Sequence, residues 1–530
     1  MWKKLLHKIN NSVMGGAFII GFFSVLSKIF GLIRERLIAY YFGASQLSDI
    51  YYSAFRLPDL IYNTLILGAL TLAFIPVFQK VWHLDKKKGL ILANSVLNLF
   101  LLIIGLLVIV AAFFAPQLVT FFTPGFTNWQ LAQATQMTRI MLMAIMFFVA
   151  SNIIGGVLNS WKKFFSFSLA ASFYNLGIII GILFYPHFGL TSLAMGVCLG
   201  AFMHLLVQLP EAYKNGWHYK LVLSFTPELK RVIKLMIPRT VGLAAGQINL
   251  IVITMIASTL AAGSIAVFNL ANNLQSLPIS IFAVSLAVAV FPSFAEAVGT
   301  NDVKLFAQNF STSVRRILFL LIPISVLMLI LRAQLVRVIL GTGAFDWQAT
   351  YYTAQTVGLF ALSIFAQGLI PVLVRSFHAF EDSMTPMVAS IVSIILNIAL
   401  SWILAKNFGL GVLGLALAFS ISSIINMLIL YIFLNFHAHH INHGQILSSV
   451  LKISINSFIA GFVAYTTLHL LAKMVNMHTF FGILLQGVGA GLMGLISYLI
   501  LGIVFRLDEV SIVKSGVLKF WLFLKNGKNT

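Results

Sequence analysis

The sequence predicts an all-α, polytopic membrane protein of about fourteen spanning helices, arranged as two pseudo-symmetric six-helix lobes followed by a C-terminal helix pair. Apolar residues make up 60% of the 530 residues and charged ones only 9%. Stretches such as Leu97 to Ala115 and Ser166 to Tyr185 run about a bilayer's thickness, ~20 residues, without a charge. In hydrocarbon, backbone polar groups must be satisfied within the chain, and these runs lack the dyad alternation of barrel strands, so they read as helices.

Runs bounded by charge, Pro or Gly place the helices, in order, near 14–33, 48–78, 89–114, 137–159, 165–185, 189–209, 232–260, 264–298, 312–331, 351–379, 385–405, 410–435, 450–471 and 479–505. Most of the 34 Lys and Arg residues then fall on one side of the membrane, in the start (Lys3, Lys4, Lys8), after the even-numbered helices (Lys86, Lys87 and Lys88 among them) and in the tail from Arg506 to Lys528. The connections after the third, fifth and seventh helices carry none. Short basic loops stay cytoplasmic, so both termini are expected on the cytoplasmic side, which requires an even number of spans. This bias, with attraction to anionic headgroups of membrane lipids, accounts for most of the net charge of +21 and argues against nucleic acid as a partner. The basic start lacks a small-residue cleavage site, so the first helix is expected to be a retained span. The lone Cys198 falls inside a helix and reads as packing.

An internal repeat organises the spans. Leu57-Pro58 and the segment Leu72 to Phe78 in the second helix are echoed by Leu277-Pro278 and Val288 to Phe294 in the eighth, with the later prolines, Pro76 and Pro292, 216 residues apart. The same offset relates Asn159 to Trp161, closing the fourth helix, to Arg375 to Phe377, closing the tenth. The expected division is therefore an N-terminal lobe 1–215, a C-terminal lobe 216–440, and an add-on helix pair with a basic tail, 441–530. Parallel repeats related by an axis along the membrane normal commonly enclose a central substrate site.

Charges inside spanning helices need a wet cavity, a partner or a function, since burying one costs roughly 2.5–3.5 kcal/mol on insertion scales. The first helix carries Lys28, Arg34, Glu35 and Arg36, the second Asp49, Arg56, Asp59 and Asn63. At 100° per residue Arg56, Asp59 and Asn63 share a face, as do Lys28 and Glu35. For Arg56 with Asp59, a salt bridge near the interface and direct ligand contact are both open readings. In the second lobe Arg239 follows Pro238, and Gly242, Gly246 and Asn249 continue its helix. The eighth helix presents Asn269, Asn272, Asn273 and Ser276 as a polar stripe, the tenth Gln367, Pro371, Arg375 and His378, and the eleventh Ser393, Asn397 and Ser401. Such stripes either hydrogen-bond to neighbouring helices or line a hydrated cavity, and three in one lobe favour the cavity. Lys28, Arg34, Arg56, Arg239 and Arg375 outnumber Glu35, Asp49 and Asp59, so the expected substrate is anionic, with Arg suited to phosphate.

Other chemistries find little support. The cluster His437, His439, His440 and His443 lies in a short loop without Cys or Asp beside it, and no metal site or cofactor is expected. No nucleophile–base pair, glycine-rich phosphate loop or nucleotide-binding domain is present, so neither catalysis nor nucleotide-driven transport within this chain is expected.

The residues from Ser27 to Glu35, with Phe42 to Ala44, Asp49, Ala54 to Pro58 and Gly68 to Phe78, resemble the opening of the MurJ (MviN) family of lipid II flippases. Gln247 to Leu250, Leu277-Pro278 with Phe291-Pro292, and Arg375 to Phe380 with Asp382 and Thr385-Pro386 resemble later family segments in the same order. The first block is the most specific, because the wider multidrug/oligosaccharidyl-lipid/polysaccharide exporter superfamily shares the architecture but not this wording. The resemblance implies two lobes around a cationic cavity, a groove for the polyprenyl tail at helices 13 and 14, and alternating access carrying undecaprenyl-diphosphate-linked saccharide, lipid II, to the outer leaflet for peptidoglycan synthesis. It places Lys28 and Arg34 at two cavity arginines, Glu35 at an aspartate, and Asp49 at the family's aspartate.

Departures are equally informative. Tyr62 and Asn63 stand where the family often has an Arg, Leu67-Gly68 where it has Glu-Gly, and Asn273 where it has an arginine. Arg239 is the candidate to supply one lost charge. A sodium site of some members uses an aspartate in helix 7 and an Asn with an aspartate in helix 11, and these positions read Ile253, Asn397 and Ser401 here, so no tight sodium site of that kind is expected. The membrane potential, or counter-transport through Glu35 or Asp49, remains as the energy source. A flippase for another lipid-linked glycan, an O-antigen or capsule unit, is the alternative transporter. A membrane glycan polymerase or ligase would need paired carboxylates in an outer loop, and the longest, Pro116 to Gln136, has no acidic residue.

Overall fold

The computed structural model describes residues 13–511, with side chains from Ile19 onward except at 68, 69, 71, 72, 238, 239, 241 and 242. The basic start through Lys8 and the tail from Lys514, part of the topology argument, lie outside the described residues, as does the side chain of Arg239. All fourteen expected spans coincide with helical structure. Among the described residues ten helices are by themselves long and apolar enough to cross a bilayer, and Trp347–Ala361 with Ile364–Ala379 forms an eleventh, bent by 47°. The protein is an all-α, multi-pass membrane protein.

One compact unit comprises residues up to Ala266 together with the short return Thr342–Phe345. It contains α1 (Val13–Phe42), α2 (Gln46–Ala54), α3 (Arg56–Ile61), α4 (Thr71–Leu84), α5 (Lys86–Phe113), α6 (Ala115–Phe122), α7 (Asn128–Ser160), α8 (Phe164–Leu183), α9 (Thr191–Leu206), α10 (Leu209–Lys214) and α11 (Pro227–Ser258). The second comprises Val267–Gly341 and the chain from Asp346 on. Apart from the first residues of α12, it holds α12 (Ser264–Pro278), α13 (Ser285–Gly299), α14 (Val303–Ile330), α15 (Arg332–Ile339), α16 (Trp347–Ala361), α17 (Ile364–Ala379), α18 (Met384–Trp402), α19 (Val412–His437), α20 (His443–Ala472) and α21 (Phe480–Val504).

These packing units differ from the lobes expected from the repeat at 216–266. There α11 lies along the stretch Tyr62–Leu70 and joins the first unit. The connection before α11 is strapped down as well. Residues 217–225 form no regular secondary structure, and α5 supplies hydrogen bonds to them: Asn94 Nδ2 donates to His218 O at 3.1 Å, Asn98 Nδ2 to Lys220 O and Val222 O at 2.9 Å each, and Ser95 Oγ accepts from Ser224 N at 3.1 Å. Backbone outside helices and sheets lacks most of its regular partners, and helix side chains replace some of them here.

The two spans that carry a pair of prolines, the second and the eighth, are broken in the same way. Between Pro58 and Pro76, Tyr62–Leu70 is a π-helix; directly after Pro278 and before Pro292, so is Ile279–Val284. Proline removes an i→i−4 hydrogen bond and its ring crowds the preceding turn, and a wider turn relieves both.

In the first unit α8 and α9 approach backbone to backbone. A Cβ added at Gly177 would meet the backbone of Gly200, and one at Gly181 the backbone of Gly196. Gly177 and Gly181, like Gly196 and Gly200, are one helical turn apart, the small-xxx-small spacing that lets membrane helices pack closely. Replacing Gly196 by Leu is therefore expected to force the pair apart at a cost of about 3 kcal/mol. A melting curve of the detergent-solubilised protein checks this, with Gly299→Leu, whose Cβ would meet nothing within 4 Å, as the neutral control.

Candidate functional site

In the first unit the cationic residues predicted from the sequence sit in built surroundings. Arg34, on α1, is ion-paired to its neighbour Glu35 and donates from Nη1 to Asn175 Oδ1 at 3.2 Å. Glu35 is buried, and Tyr52 donates its hydroxyl to Glu35 Oε2 at 2.5 Å. Asn175 is itself fixed by α1, donating to Ser27 O at 3.2 Å. Arg34 thus has one edge spent on protein partners, and its Nε is buried with no hydrogen-bond partner. A half-buried guanidinium held by a single carboxylate keeps its charge while leaving donor capacity, as an anion site needs. Lys28 is half-buried on the same helix.

Beside this cluster lies a cavity of about 230 Å³, lined by Asp59, Tyr62 and Asn63 at the start of the broken span, by Phe148 of α7, by Tyr174 of α8 and by His204 of α9. Arg56 is buried and directs Nε to Thr254 Oγ1 of α11 at 2.7 Å, while Asp59 lines the cavity. Behind His204, Gln208 Nε2 donates to Ser151 Oγ at 2.7 Å, and Ser151 Oγ lies 2.5 Å from His204 Nδ1. Neither Tyr52, Asn175 nor this His204 network was singled out from sequence.

Asp49 has a different setting. Its Oδ2 accepts from Gly263 N at 2.7 Å and its Oδ1 from Ala266 N at 2.8 Å. Both oxygens face the first turn of α12, where a carboxylate complements the unpaired amides and positive end of the helix. Gly263 sits at φ +88°, and a Cβ there would meet the Ala44 carbonyl.

In the second unit two polar stripes interlock. Gln275 Nε2 donates to Asn272 Oδ1 at 2.9 Å, Gln367 Nε2 donates to Gln275 Oε1 and to Ser363 Oγ at 2.9 Å each, and Ser363 Oγ donates to Ser420 Oγ at 3.0 Å. The stripe on α18 is buried too: Ser393 Oγ donates to Ser422 O at 2.9 Å, and Ser401 Oγ to Asn397 Oδ1 at 3.3 Å. Gln367 of α17 and Ser393 of α18 are thus drawn into hydrogen bonds between helices, and Ser401 with Asn397 into one within α18, where the sequence favours a hydrated cavity for these stripes. The reason is that one stripe can satisfy another, sparing both the cost of unpaired polar groups in hydrocarbon. Asn269, Asn273 and Arg375 are half-buried in this unit, and Asn249 is half-buried on α11 of the first. In the loop after α17, Asp382 caps α18 through Thr385 N at 3.0 Å and lies 3.5 Å from His437 Nε2.

Membrane-spanning helices, two of them interrupted between paired prolines, with a half-buried, ion-paired guanidinium near a cavity that Asp59, Asn63 and His204 help to line, define a polytopic membrane transporter. The profile of the family described as lipid II flippase MurJ matches residues 38–486. The chain is 31% identical to the probable lipid II flippase MurJ of Buchnera aphidicola subsp. Schizaphis graminum, covering 78% of this chain and 81% of that one. It is 30% identical to the probable lipid II flippase MurJ of Borreliella burgdorferi, over 82% and 85%. Among solved structures, a lipid II flippase MurJ in an inward closed conformation superposes with a TM-score of 0.77 at 28% identity, covering 92% of this chain and 99% of that one. An inward-facing multidrug resistance MATE family transporter of the MOP superfamily shares the fold, with a TM-score of 0.67 at 13% identity over 78% and 95%. The chain belongs to the MurJ family of lipid II flippases, which are transporters and not enzymes.

Because both oxygens of Asp49 are taken by backbone amides, Asp49→Ala is expected to cost about 3 kcal/mol by stranding two buried donors. Thermal unfolding of the purified protein measures this. An unchanged melting temperature with lost transport would instead make Asp49 a ligand contact.

Proposed function

We propose that this chain is a lipid II flippase that carries undecaprenyl-diphosphate-linked saccharide from the inner to the outer leaflet of the bacterial inner membrane by alternating access, with both termini in the cytoplasm. The family match along residues 38–486 carries this reading. Arg34 supports it, since a guanidinium whose Nε has no partner suits a diphosphate. In this reading Lys28, Arg34 and Arg56 supply positive charge from the first lobe (1–215), Glu35 holds Arg34 in place, and Arg239, Asn249, Asn269, Asn272, Asn273 and Arg375 contribute polar contacts from the second (216–440). The helix pair α20 and α21 within 441–530 accommodates the polyprenyl tail. Membrane lipids are the remaining partners, and no nucleic acid or nucleotide takes part.

Expression in a bacterium depleted of its own lipid II flippase is expected to restore growth and outer-leaflet lipid II, and Arg34→Ala to abolish the rescue. Failure of the unaltered chain despite verified membrane insertion would overturn lipid II as the substrate in favour of an O-antigen or capsule unit. Arg239→Ala is expected to weaken rescue if that residue replaces a lost cavity arginine, and full activity would remove it from the site.

A further inference from the structure

In the second unit, one face of α14 opens onto a cavity of about 600 Å³. Lys304, Gln308, Ser311 and Arg315 line it at i, i+4, i+7 and i+11, the spacing of a single helical face. Opposite them stand His440 and Gln445, from the turn that opens α20. The remaining lining residues are Ala307, Thr312 and Asn442, so no carboxylate faces the cavity.

Two features of the wall point to an anion. Ser311 is 4% exposed and its hydroxyl has no hydrogen-bond partner, and Arg315 has a buried Nε without one. Unpaired buried donors are costly to leave unmatched, and each is balanced when a ligand accepts from it. Arg315 is also aimed by the protein: Glu509, itself buried, pairs with Arg315 Nη1 at 3.0 Å and is steadied by Ser449 Oγ at 2.9 Å. Asp508 Oδ2 also accepts from the same Nη1 at 3.4 Å, so both carboxylates hold one nitrogen of the guanidinium and Nε is left without a partner. The first turns of two long helices, α14 and α20, border the same space, and their positive ends favour negative charge there.

We propose that this cavity is a binding site for a phosphate-bearing anion at the membrane surface, on the face the Lys and Arg distribution assigns to the cytoplasm. Lys304 and Arg315 supply the charge, and Ser311, Gln308, Gln445 and the His440 ring supply hydrogen bonds. The site is separate from Arg34 and its cavity, and does not depend on the identity of the transported glycan. The phosphate belongs either to an anionic phospholipid headgroup or to a soluble compound, since both present the same oxygens.

The test uses the full chain in detergent micelles, titrated with dioleoylphosphatidylglycerol, with dioleoylphosphatidylcholine as the neutral-headgroup control, and separately with inorganic phosphate, binding being read by native mass spectrometry and by thermal shift. The double variant Lys304→Ala/His440→Ala changes exposed side chains, and Ser311→Ala removes a hydroxyl that bonds to nothing in the protein, so neither should unfold it. Each is expected to weaken binding about tenfold, the equivalent of one charge-assisted hydrogen bond. Loss of phosphatidylglycerol binding in the variants identifies a lipid headgroup, and loss of inorganic phosphate binding identifies a soluble ligand. Equal binding by variant and wild type, or no binding of either probe by wild type, overturns the proposal.

Discussion

In a hydrocarbon slab a backbone amide has no water to turn to, and the whole chain is arranged around that constraint. It makes the spans helical, and it also governs where helices can stop being regular. The widened turns Tyr62–Leu70 and Ile279–Val284 occur beside prolines, where a hydrogen bond is lost in any case, and the first lies against α11 within its own unit. Where the chain leaves regular structure, at 217–225, α5 supplies partners through Asn94, Ser95 and Asn98.

Charge obeys the same rule at higher stakes. Arg34 is tolerated because Glu35 and Asn175 flank it, and Glu35 because Tyr52 donates to it. Removing one member of such a buried pair costs more than the pair contributes, since the survivor stays desolvated. A transport site can therefore keep a cation in the bilayer only with a partner that leaves part of it unspent. The vacant Nε of Arg34 is that remainder.

Much of this was legible in the sequence. Uncharged apolar runs located the spans, because few other environments accept them, and the rarity of charge in such runs drew attention to Arg34, Glu35, Asp49 and Arg56. What escaped were relations between distant segments. Asn175 is 141 positions from Arg34, and nothing in either neighbourhood announces the contact. Counting 100° per residue placed Arg56, Asp59 and Asn63 on one face, yet a π-helix begins at Tyr62 and turns by less per residue, so faces read past that point drift. The stripes containing Gln367 and Ser393 were correctly seen as polar, but a single helix cannot reveal whether its polar face meets water or another polar face.

The way Asp49 is held bears on how its role could be noticed at all. Its partners are the amides of Gly263 and Ala266, groups that residues at those positions present whatever their side chains, proline excepted. Substitutions around it can therefore drift without disturbing the bond, provided the turn survives. A search for correlated changes between pairs of positions would find Asp49 constant with nothing changing in step with it. It would look like a solitary functional residue when it is a structural fastening whose other half is written in backbone.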